Sequence, residues 1–325
     1  MKKTVSLGVD IGGTNTAIGV VDAEGNVLVK TSIPTPKHGD AEQYVAEMSR
    51  AIRSLISDVT KLNPDVTFAG IGLGAPNANY YRGTIEHAPN LSFKGVVPLV
   101  DMLRTQFSDM PKIVMTNDAN AATMGEMVYG GAKGMKNFVM YTLGTGVGSG
   151  IVVDGKLVYG HDGFAGECGH TTLVPGVNAR LCGCGCRGHL EAYCSAGGMK
   201  RTAFELLAEF NETDSLLAQK SFAELESKDI YDAAVRGDKL AVMVFEKTGE
   251  YLAQGMANTI DHTSPEAIFL FGGPTAAGDL ILDPIRNNVD KFVMQIFRGK
   301  TRILISSLKP GDAAIVGASA LVMGD

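Results

Sequence analysis

The chain opens with short apolar stretches in which hydrophobic residues alternate with polar or small ones. Three of them, TVSLGVDIG, TAIGVVDA and NVLVKTSI, are joined by the turn-like tetrapeptides GGTN and AEGN. Alternation with Gly and Asn at the corners is typical of antiparallel strands linked by tight turns, so the pattern predicts a β-meander. Two later apolar runs, VTFAGIGLGAP and KIVMTND, predict buried strands with helical connections, and hence parallel pairing.

Between the meander and these later strands, the hydrophobic period changes to that of a helix. The segment DAEQYVAEMSRAIRSLISDVTKL has apolar residues at helical spacing, and Asp40 stands where an N-cap is expected. The residues that share this period are Val45, Met48, Ile52, Leu55, Ile56 and Val59. The pattern predicts an amphipathic helix.

After Asp118 the strand pattern starts again. FVMYTLGTGVGSGIVVDGKLVYG repeats the order of VSLGVDIGGTNTAIGVVDAEGNVLV: strand, glycine corner, second strand ending in VVD, turn and third strand. A weak internal repeat of this kind predicts duplication of one α/β unit. The remaining pattern predicts helices near residues 190–211, 239–262 and 278–298, strands at AIFLFGG and RILISS, and a final amphipathic helix in GDAAIVGASALVM.

Length and composition set limits on what such a chain does. At 325 residues it exceeds one core and predicts two domains, and the absence of a Pro/Ser-rich linker predicts close packing with a cleft between them. The net charge of -6 argues against a nucleic-acid partner, which needs a basic surface. No window of 18 uncharged apolar residues and no signal peptide stand out, so we expect a cytoplasmic protein without membrane association.

The cysteines are concentrated in one region. All five lie between Cys168 and Cys194, and three of them alternate with glycine in LCGCGCRGHLE. Cytoplasmic thiols stay reduced, so a metal or redox site is favoured over disulfides. The alternative is a set of reduced cysteines in a glycine-rich loop that binds no metal.

Two glycine corners are candidate phosphate-binding turns. They occupy matching places in the two repeats, DIGGTNT and LGTGVGSG, and each carries a threonine. Glycine lets the backbone approach a ligand closely, and successive N–H groups can cradle phosphate oxygens. The residues concerned are Asp10, Gly12, Gly13, Thr14, Asn15, Gly144, Thr145 and Gly146. Asp10 is suited to hold Mg²⁺ through water. The alternative is a pair of ordinary β-turns, but the duplication favours a nucleotide clamp.

At these motifs the sequence resembles the actin/sugar-kinase ATPase superfamily, and within it the ROK family (repressors, open reading frames, kinases). The matching segments in chain order are LGVDIGGTNT, EHAPNL, TNDANAA, LGTGVGSG, GECGH, CGCGCRGHLE and FLFGGP. The resemblance implies an α/β, two-domain actin-like ATPase (ribonuclease H-like) fold with duplicated βββαβαβα units and an interdomain cleft. It implies a small domain of residues 1–117 plus 308–325, and a large domain of residues 118–307 with the zinc loop and the sugar and adenosine sites.

The resemblance also implies roles for individual residues. Asp118 corresponds to a general base that accepts the proton of a sugar hydroxyl as that oxygen attacks the γ-phosphate of ATP. A helix N-cap is the alternative role for Asp118, and the two roles are compatible. The implied sugar contacts are Asn90, Asn117, Asp118, Glu167, His170 and Glu191. Gly272 and Gly273 correspond to the adenosine-binding motif, with Pro274 where the family often has a third glycine.

A structural zinc ion is implied as well. The family site uses the histidine of Glu-x-Gly-His and three cysteines, but the last cysteine is His189 in this chain. The implied ligands are His170, Cys182, Cys184 and His189, with Cys186 as the alternative fourth ligand. Zinc here holds the loop that presents His170 and Glu191 to the sugar. Cys168 and Cys194 are interpreted as small buried residues.

The resemblance therefore predicts an ATP-dependent hexokinase, glucokinase-like, that phosphorylates D-glucose at the 6-hydroxyl with Mg²⁺. Mannose, fructose, N-acetylglucosamine and N-acetylmannosamine remain alternative substrates, and polyphosphate an alternative donor. A catalytically silent sugar-binding relative and a sugar-sensing ROK transcriptional regulator are the alternatives from other classes. Because the phosphate motif begins at Leu7, we expect no DNA-binding domain before it. Family habit implies a homodimer or homotetramer.

Overall fold

The computed structural model describes residues 3–36, 40–88, 91–211 and 214–323. Its strands are β1 Thr4–Ile11, β2 Asn15–Asp22, β3 Val27–Pro34, β4 Thr67–Gly74, β5 Ala78–Asn79, β6 Thr84–Glu86, β7 Val96–Val97, β8 Ile113–Thr116, β9 Phe138–Leu143, β10 Val147–Val153, β11 Lys156–Leu157, β12 Ala267–Gly272 and β13 Arg302–Ile305. Its α-helices are α1 Ala41–Leu62, α2 Leu99–Gln106, α3 Asp118–Val128, α4 Glu191–Cys194, α5 Ala196–Phe210, α6 Ser227–Val235, α7 Lys239–Thr263, α8 Asp279–Phe292 and α9 Ala313–Met323.

The described chain divides into two compact units. Unit 1 consists of Met1–Met135, Leu157–Gly166 and Ser307–Asp325, and unit 2 of Lys136–Lys156 and Glu167–Ser306. This division differs from the predicted domain boundary after residue 117, because α3 belongs to unit 1. The reason is packing: Gly125 of α3 lies so close to Gly317 of α9 that a Cβ there would be 2.9 Å from the Gly317 Cα.

Unit 1 is built on a five-stranded sheet in the order β3-β2-β1-β4-β8. Strand β2 pairs antiparallel with both β1 and β3, which is the predicted meander. Strand β4 pairs parallel with β1 and with β8, as the continuous apolar runs predict. The parallel strands end together, and Asp10, Gly74 and Thr116 lie in register across β1, β4 and β8.

Helix α1 was predicted from the helical spacing of its apolar residues, and the structure confirms it. The Asp40 side chain accepts a hydrogen bond from the Gln43 N–H at 2.8 Å, so it is the predicted N-cap. The apolar stripe that includes Met48 and Ile52 is buried in the core of unit 1, whereas Leu62 at the C-terminal end is exposed.

The final helix, α9, is not amphipathic, and that prediction is wrong. Its residues Ala313 and Ile315 through Val322 are all buried. One side lies on the sheet, where a Cβ on Gly8 or Gly72 would come 1.9 Å from a carbonyl oxygen of α9. Another side lies against α3. Apart from the exposed Ala314, the helix is covered nearly all round and is apolar throughout, since it is a core element of unit 1.

Unit 2 repeats the architecture around its own core. Its five-stranded sheet has the order β11-β10-β9-β12-β13, in which β9 and β10 are antiparallel while β12 is parallel to β9 and β13. The same order in both sheets confirms the duplication read from the sequence. The predicted helix near residues 190–211 is split into α4 and α5, because Ser195 adopts an extended conformation and caps α5 by accepting from the Gly198 N–H.

A small three-stranded sheet, β5-β6-β7, was not predicted. Its strands are two or three residues long, too short to show an alternating pattern. Across the described ranges, no helix has both the length and the apolar character that crossing a bilayer requires.

Candidate active site and metal centre

The first glycine corner of unit 1 links β1 to β2. The Gly12 N–H donates to the Asn15 carbonyl oxygen at 3.0 Å and closes the turn. Gly13, Thr14 and Asn15 are exposed, so their backbone N–H groups and the threonine hydroxyl are accessible to a ligand. Asp10 lies just before the turn, half-buried at the carboxyl end of β1.

Asp118 follows the end of β8, two strands away from β1 in the sheet, and begins α3. The cap of this helix is Asn117, whose side-chain oxygen accepts from the Asn120 N–H at 2.7 Å. Asp118 is therefore the first helical residue, not the N-cap that we gave as an alternative. Its carboxylate is exposed, and one oxygen accepts from the Ala119 N–H at 2.9 Å. The Ala119 N–H thus occupies one of the two carboxylate oxygens.

The carboxyl groups of Asp10 and Asp118 lie near each other at these strand ends. A Cβ added to Gly74 would be 3.9 Å from Asp10 Oδ1 and 3.8 Å from Asp118 Cα. Burial, and after it the charge of Asp118, together raise the pKa of Asp10 from 3.8 to about 6. A cation bound here would relieve both effects, because it favours the ionised carboxylate.

Replacing Asp10 by Asn is expected to stabilise the metal-free protein in a pH-dependent way. Because the folded-state pKa is raised, ionisation of Asp10 destabilises the native state as the pH rises from 3.8 to about 6. The stability difference between Asp10→Asn and wild type should therefore be small at pH 4 and grow by about 2–3 kcal/mol by pH 7. Urea unfolding at both pH values measures it.

The matched control is Asp22→Asn in the same unit. Burial of Asp22 is outweighed by hydrogen bonds from Asn26 and Lys3, so its pKa is lowered. Asp22→Asn should accordingly cost stability above pH 4, the opposite sign. A pH-independent difference for Asp10→Asn would contradict the raised pKa.

The second glycine corner, in unit 2, links β9 to β10. The Gly144 N–H donates to the Gly146 carbonyl oxygen at 3.0 Å, and the Ala196 N–H of α5 donates to Gly144 at 2.9 Å. Thr145 is exposed at the tip. In both corners the first glycine N–H closes the turn, but it donates to the residue three positions on in unit 1 and to the residue two positions on here. The backbone of the second corner is also held by the first residue of α5.

The end of β12 lies beside this second corner, with Gly272 paired to Leu143. Gly272 has φ 116°, and a Cβ would come 2.0 Å from the Leu143 carbonyl oxygen, so only glycine fits. Gly273 has open space around it, which suits the close approach of a ligand. Pro274 lies in the first turn of a short 3₁₀-helix, where its missing N–H and fixed φ are tolerated.

Glu167 caps another short 3₁₀-helix, Cys168–His170, and His170 is its last residue. The Cys168 N–H donates to Ser149 Oγ at 3.0 Å, which holds the helix against β10. Glu167 is exposed and His170 half-buried. Cys168 and Cys194 are buried, as predicted.

The four implied metal ligands come together in unit 2. The donor atoms of His170, Cys182, Cys184 and His189 all lie within 4.8 Å of one another. The two histidine Nδ1 atoms are 3.3 Å apart, Cys182 Sγ is 3.7 Å from His170 Nδ1, and Cys184 Sγ is 3.2 Å from His189 Nδ1. Cys186 is exposed and lies outside this cluster.

These distances fit a tetrahedral zinc site. With zinc–nitrogen bonds near 2.0–2.1 Å and zinc–sulfur bonds near 2.3 Å, two nitrogens are separated by about 3.3 Å and nitrogen from sulfur by about 3.6 Å. Burial raises the pKa of the Cys182 thiol to about 12, so a nearby cation is needed to favour the thiolate. Two thiols and two imidazoles are also the donor types that zinc prefers.

Backbone hydrogen bonds shape the loop around this cluster. The Cys182 N–H donates to the Cys186 carbonyl at 2.8 Å, and the Gly185 N–H to the Cys182 carbonyl at 3.0 Å. The Leu190 N–H donates to the Thr171 carbonyl at 3.0 Å. The first two bonds fold the segment of Cys182 and Cys184 back on itself. The third joins the segment that carries His189 to the segment that carries His170.

Glu191 connects the metal cluster to the second glycine corner. This connection was not predicted from the sequence. Its Oε2 accepts from the Val147 N–H at 3.1 Å, and its Oε1 lies 3.2 Å from Cys182 Sγ. A Cβ on Gly146 would be 2.4 Å from Oε2, so a larger residue there would displace the Glu191 carboxylate. Val147 and Glu191 are 44 positions apart in the chain, and no sequence pattern indicates that they form a hydrogen bond.

The predicted site residues thus fall into two sets. Unit 1 contains Asp10, the first corner, Asn117 and Asp118, and unit 2 contains the second corner, Glu167, His170, Glu191, Gly272, Gly273 and the metal cluster. Asn90, predicted to contact the sugar, lies outside the described residues.

Comparison with known proteins gives consistent matches. The model of the ROK family matches residues 6–325. A glucokinase of Halalkalibacterium halodurans is 35% identical over 97% of this chain and 94% of its own, and a glucokinase of Thermotoga maritima is 31% identical over 99% and 98%. The crystal structure of a ROK family glucokinase from Streptomyces griseus, in complex with glucose and AMPPNP, has a TM-score of 0.78 and 34% identity, covering 98% of both chains.

The chain belongs to the ROK family. The family and the α/β actin-like ATPase fold that the motifs predict are thereby confirmed.

Proposed function

We propose that this protein is a glucokinase that transfers the γ-phosphoryl group of ATP to the 6-hydroxyl of D-glucose. The observation that carries the proposal is the exposed carboxylate of Asp118, which follows β8 beside Asp10 and the first glycine corner. The identities of 35% and 31% to proteins named glucokinase support glucose as the substrate. The structure of a relative with glucose and AMPPNP, an analogue of ATP, supports both partners.

Asp118 is the general base in this proposal. One oxygen of its carboxylate accepts the proton of the 6-hydroxyl, while that hydroxyl oxygen forms the new bond to the γ-phosphorus and the bond to the ADP oxygen breaks. The hydrogen bond from the Ala119 N–H fixes the other oxygen, so the basic oxygen is already oriented. Asn117, as cap of α3, holds the helix terminus that carries Asp118.

The glycine corners bind the phosphates of ATP in this proposal. Their backbone N–H groups and the hydroxyls of Thr14 and Thr145 donate to phosphate oxygens, and Gly272 and Gly273 approach the adenosine. Asp10 is the residue that would hold Mg²⁺, through water, and the bound ion would supply positive charge to offset that of the phosphates.

The remaining polar residues bind the sugar. Glu167, His170 and Glu191 supply acceptors and donors for hydroxyl groups, together with Asn90 and Asn117, because each desolvated hydroxyl needs a partner. Bound zinc is structural: it would hold the loop that carries His170 and Glu191. The cytoplasmic location and the homodimeric or homotetrameric state stay predictions from the sequence.

A phosphorylation screen tests the proposed function. Purified protein is incubated with ATP or polyphosphate and a panel of glucose, mannose, fructose, N-acetylglucosamine and N-acetylmannosamine. We expect the highest kcat/KM for glucose with ATP. Turnover of another sugar at a higher kcat/KM would reassign the substrate, and glucose binding without phosphorylation of any sugar would favour a sugar-sensing regulator.

A further inference from the structure

The side chain of Arg180 is a buried charge within the loop that precedes the metal cluster. Its side chain is 9% exposed. All five guanidinium N–H groups donate: Nε and Nη2 to the two carboxylate oxygens of Glu205 at 3.0 and 2.5 Å, Nη1 to the carbonyl oxygens of Ala192 and Gly198 at 3.3 and 3.1 Å, and Nη2 to Thr202 Oγ1 at 2.9 Å. The guanidinium plane also lies 4.6 Å from the centre of the Tyr193 ring.

This arrangement goes beyond an ordinary surface ion pair. A buried charge is costly unless it is paired and fully hydrogen-bonded, and here both conditions are met. Lysine would carry the charge but not the planar fork that reaches Glu205, Thr202 and two carbonyl groups at once. The five donors therefore use a property that only arginine has.

Arg180 links two parts of the metal-binding loop: the part that leads into Cys182, called here the Cys182 arm, and the part that leads into His189, called the His189 arm. Along the chain, Arg180 is two residues before Cys182. Its main chain completes the link, since its N–H donates to Tyr193 Oη at 3.1 Å and its carbonyl accepts from the Gly188 N–H at 2.9 Å. Gly188 precedes His189. One residue thus fixes the Cys182 arm relative to the His189 arm.

The same residue supports Glu191. Ala192, whose carbonyl accepts from Arg180, directly follows Glu191, and the Glu191 carboxylate accepts from Val147 of the second glycine corner. A shift of α4, which contains Glu191 and Ala192, would move the Glu191 carboxylate away from the Val147 N–H. Arg180 is therefore linked through one peptide unit to a proposed sugar contact and to a proposed phosphate-binding turn.

We propose that Arg180 is a positioning residue that fixes the metal-binding loop and Glu191 against α5 through contacts that need no metal. It makes no contact with the proposed substrates or metal and acts through Cys182, His189 and Glu191. The kinetic part of the proposal rests on the proposed function, whereas its metal-binding part does not.

Arg180→Lys tests the proposal, with Arg187→Lys as the matched control. Arg187 lies in the same loop but is exposed, and its Nη1 donates to the Ala179 carbonyl at 2.9 Å. For each variant, the zinc dissociation constant is measured by competition with a chromophoric chelator, and KM and kcat are measured for glucose and ATP. Glu205→Gln is the second variant, because it keeps Arg180 and removes only the opposing charge.

We expect Arg180→Lys to weaken zinc binding and to raise KM for glucose, each by about 10-fold, as changes in residues that orient metal ligands do. Arg187→Lys should stay within about twofold of wild type, and Glu205→Gln should lie between the two. If Arg180→Lys and Glu205→Gln lower only the melting temperature, with zinc affinity and KM unchanged, Arg180 is structural and the proposal is overturned. Equal effects of Arg180→Lys and Arg187→Lys would overturn it as well.

The two proposals fail in different ways. If wild-type protein phosphorylates no sugar, the proposed function fails, while the zinc dissociation constants still decide the role of Arg180. If glucose is phosphorylated and the zinc constants do not differ, only the role of Arg180 fails.

Discussion

Replacing Asp118 by Asn is expected to lower kcat for glucose phosphorylation by about 1,000-fold or more, with little change in the affinity for glucose. The amide cannot accept the proton of the 6-hydroxyl, so the attacking oxygen must lose it to water. The amide oxygen can still accept from the Ala119 N–H, as Asp118 Oδ1 does, so the terminus of α3 should remain in place. Steady-state kinetics and calorimetric titration with glucose separate the two quantities.

The control for Asp118→Asn is Asp101→Asn. Asp101 is an exposed carboxylate of unit 1 that pairs with Arg104 at 3.6 Å across one turn of α2. It should change kcat by less than twofold, because such surface pairs contribute little. A kcat for Asp118→Asn within 10-fold of wild type would remove Asp118 from the role of general base.

Replacing His189 by Ala is expected to reduce bound zinc from one ion per chain to a small fraction and to raise KM for glucose by about 10- to 100-fold. The variant leaves three donors, and the opposing His170 Nδ1 loses the partner that lies 3.3 Å away. Without the metal, the loop that carries Cys182 and Glu191 keeps the contacts of Arg180 but loses those to zinc. It is therefore less firmly fixed, and KM for glucose rises. Elemental analysis of the purified variant measures the zinc, and kinetics measure KM.

Cys186→Ser is the matched control for His189→Ala. Cys186 lies in the same loop, is exposed, and lies outside the cluster of four donors. It should keep one zinc per chain and the KM of wild type. Full zinc retention in His189→Ala, or zinc loss in Cys186→Ser, would exchange the roles of the two residues and contradict the assignment.

The sequence predicted those elements whose local pattern agrees with their final environment. The meander β1–β3 and helix α1 follow this rule, because each has one dominant period and clear turn or cap residues at its ends. Helix α9 does not, since it was predicted to be amphipathic and is buried almost all round. Its Gly317 lets α3 approach closely, which only tertiary structure shows.

The candidate site was predictable where it depends on short motifs. Cys182, Cys184 and His189 lie close in sequence, and the motif that ends in His170 supplies the fourth donor, so composition and resemblance were sufficient to propose the cluster. The fixing of the loop by Arg180 and the contact of Glu191 with Val147 were not predicted. Both depend on hydrogen bonds between distant segments, and neither residue type is unusual in its local sequence.

The most direct measurement of the central claim is the product balance of the purified protein with ATP and glucose. Phosphorus NMR of the reaction should show glucose 6-phosphate and ADP in equal amounts, with ADP absent when glucose is omitted. ADP without a sugar phosphate, or no turnover of ATP at all, would contradict the proposal that this protein is a glucokinase with Asp118 as its general base.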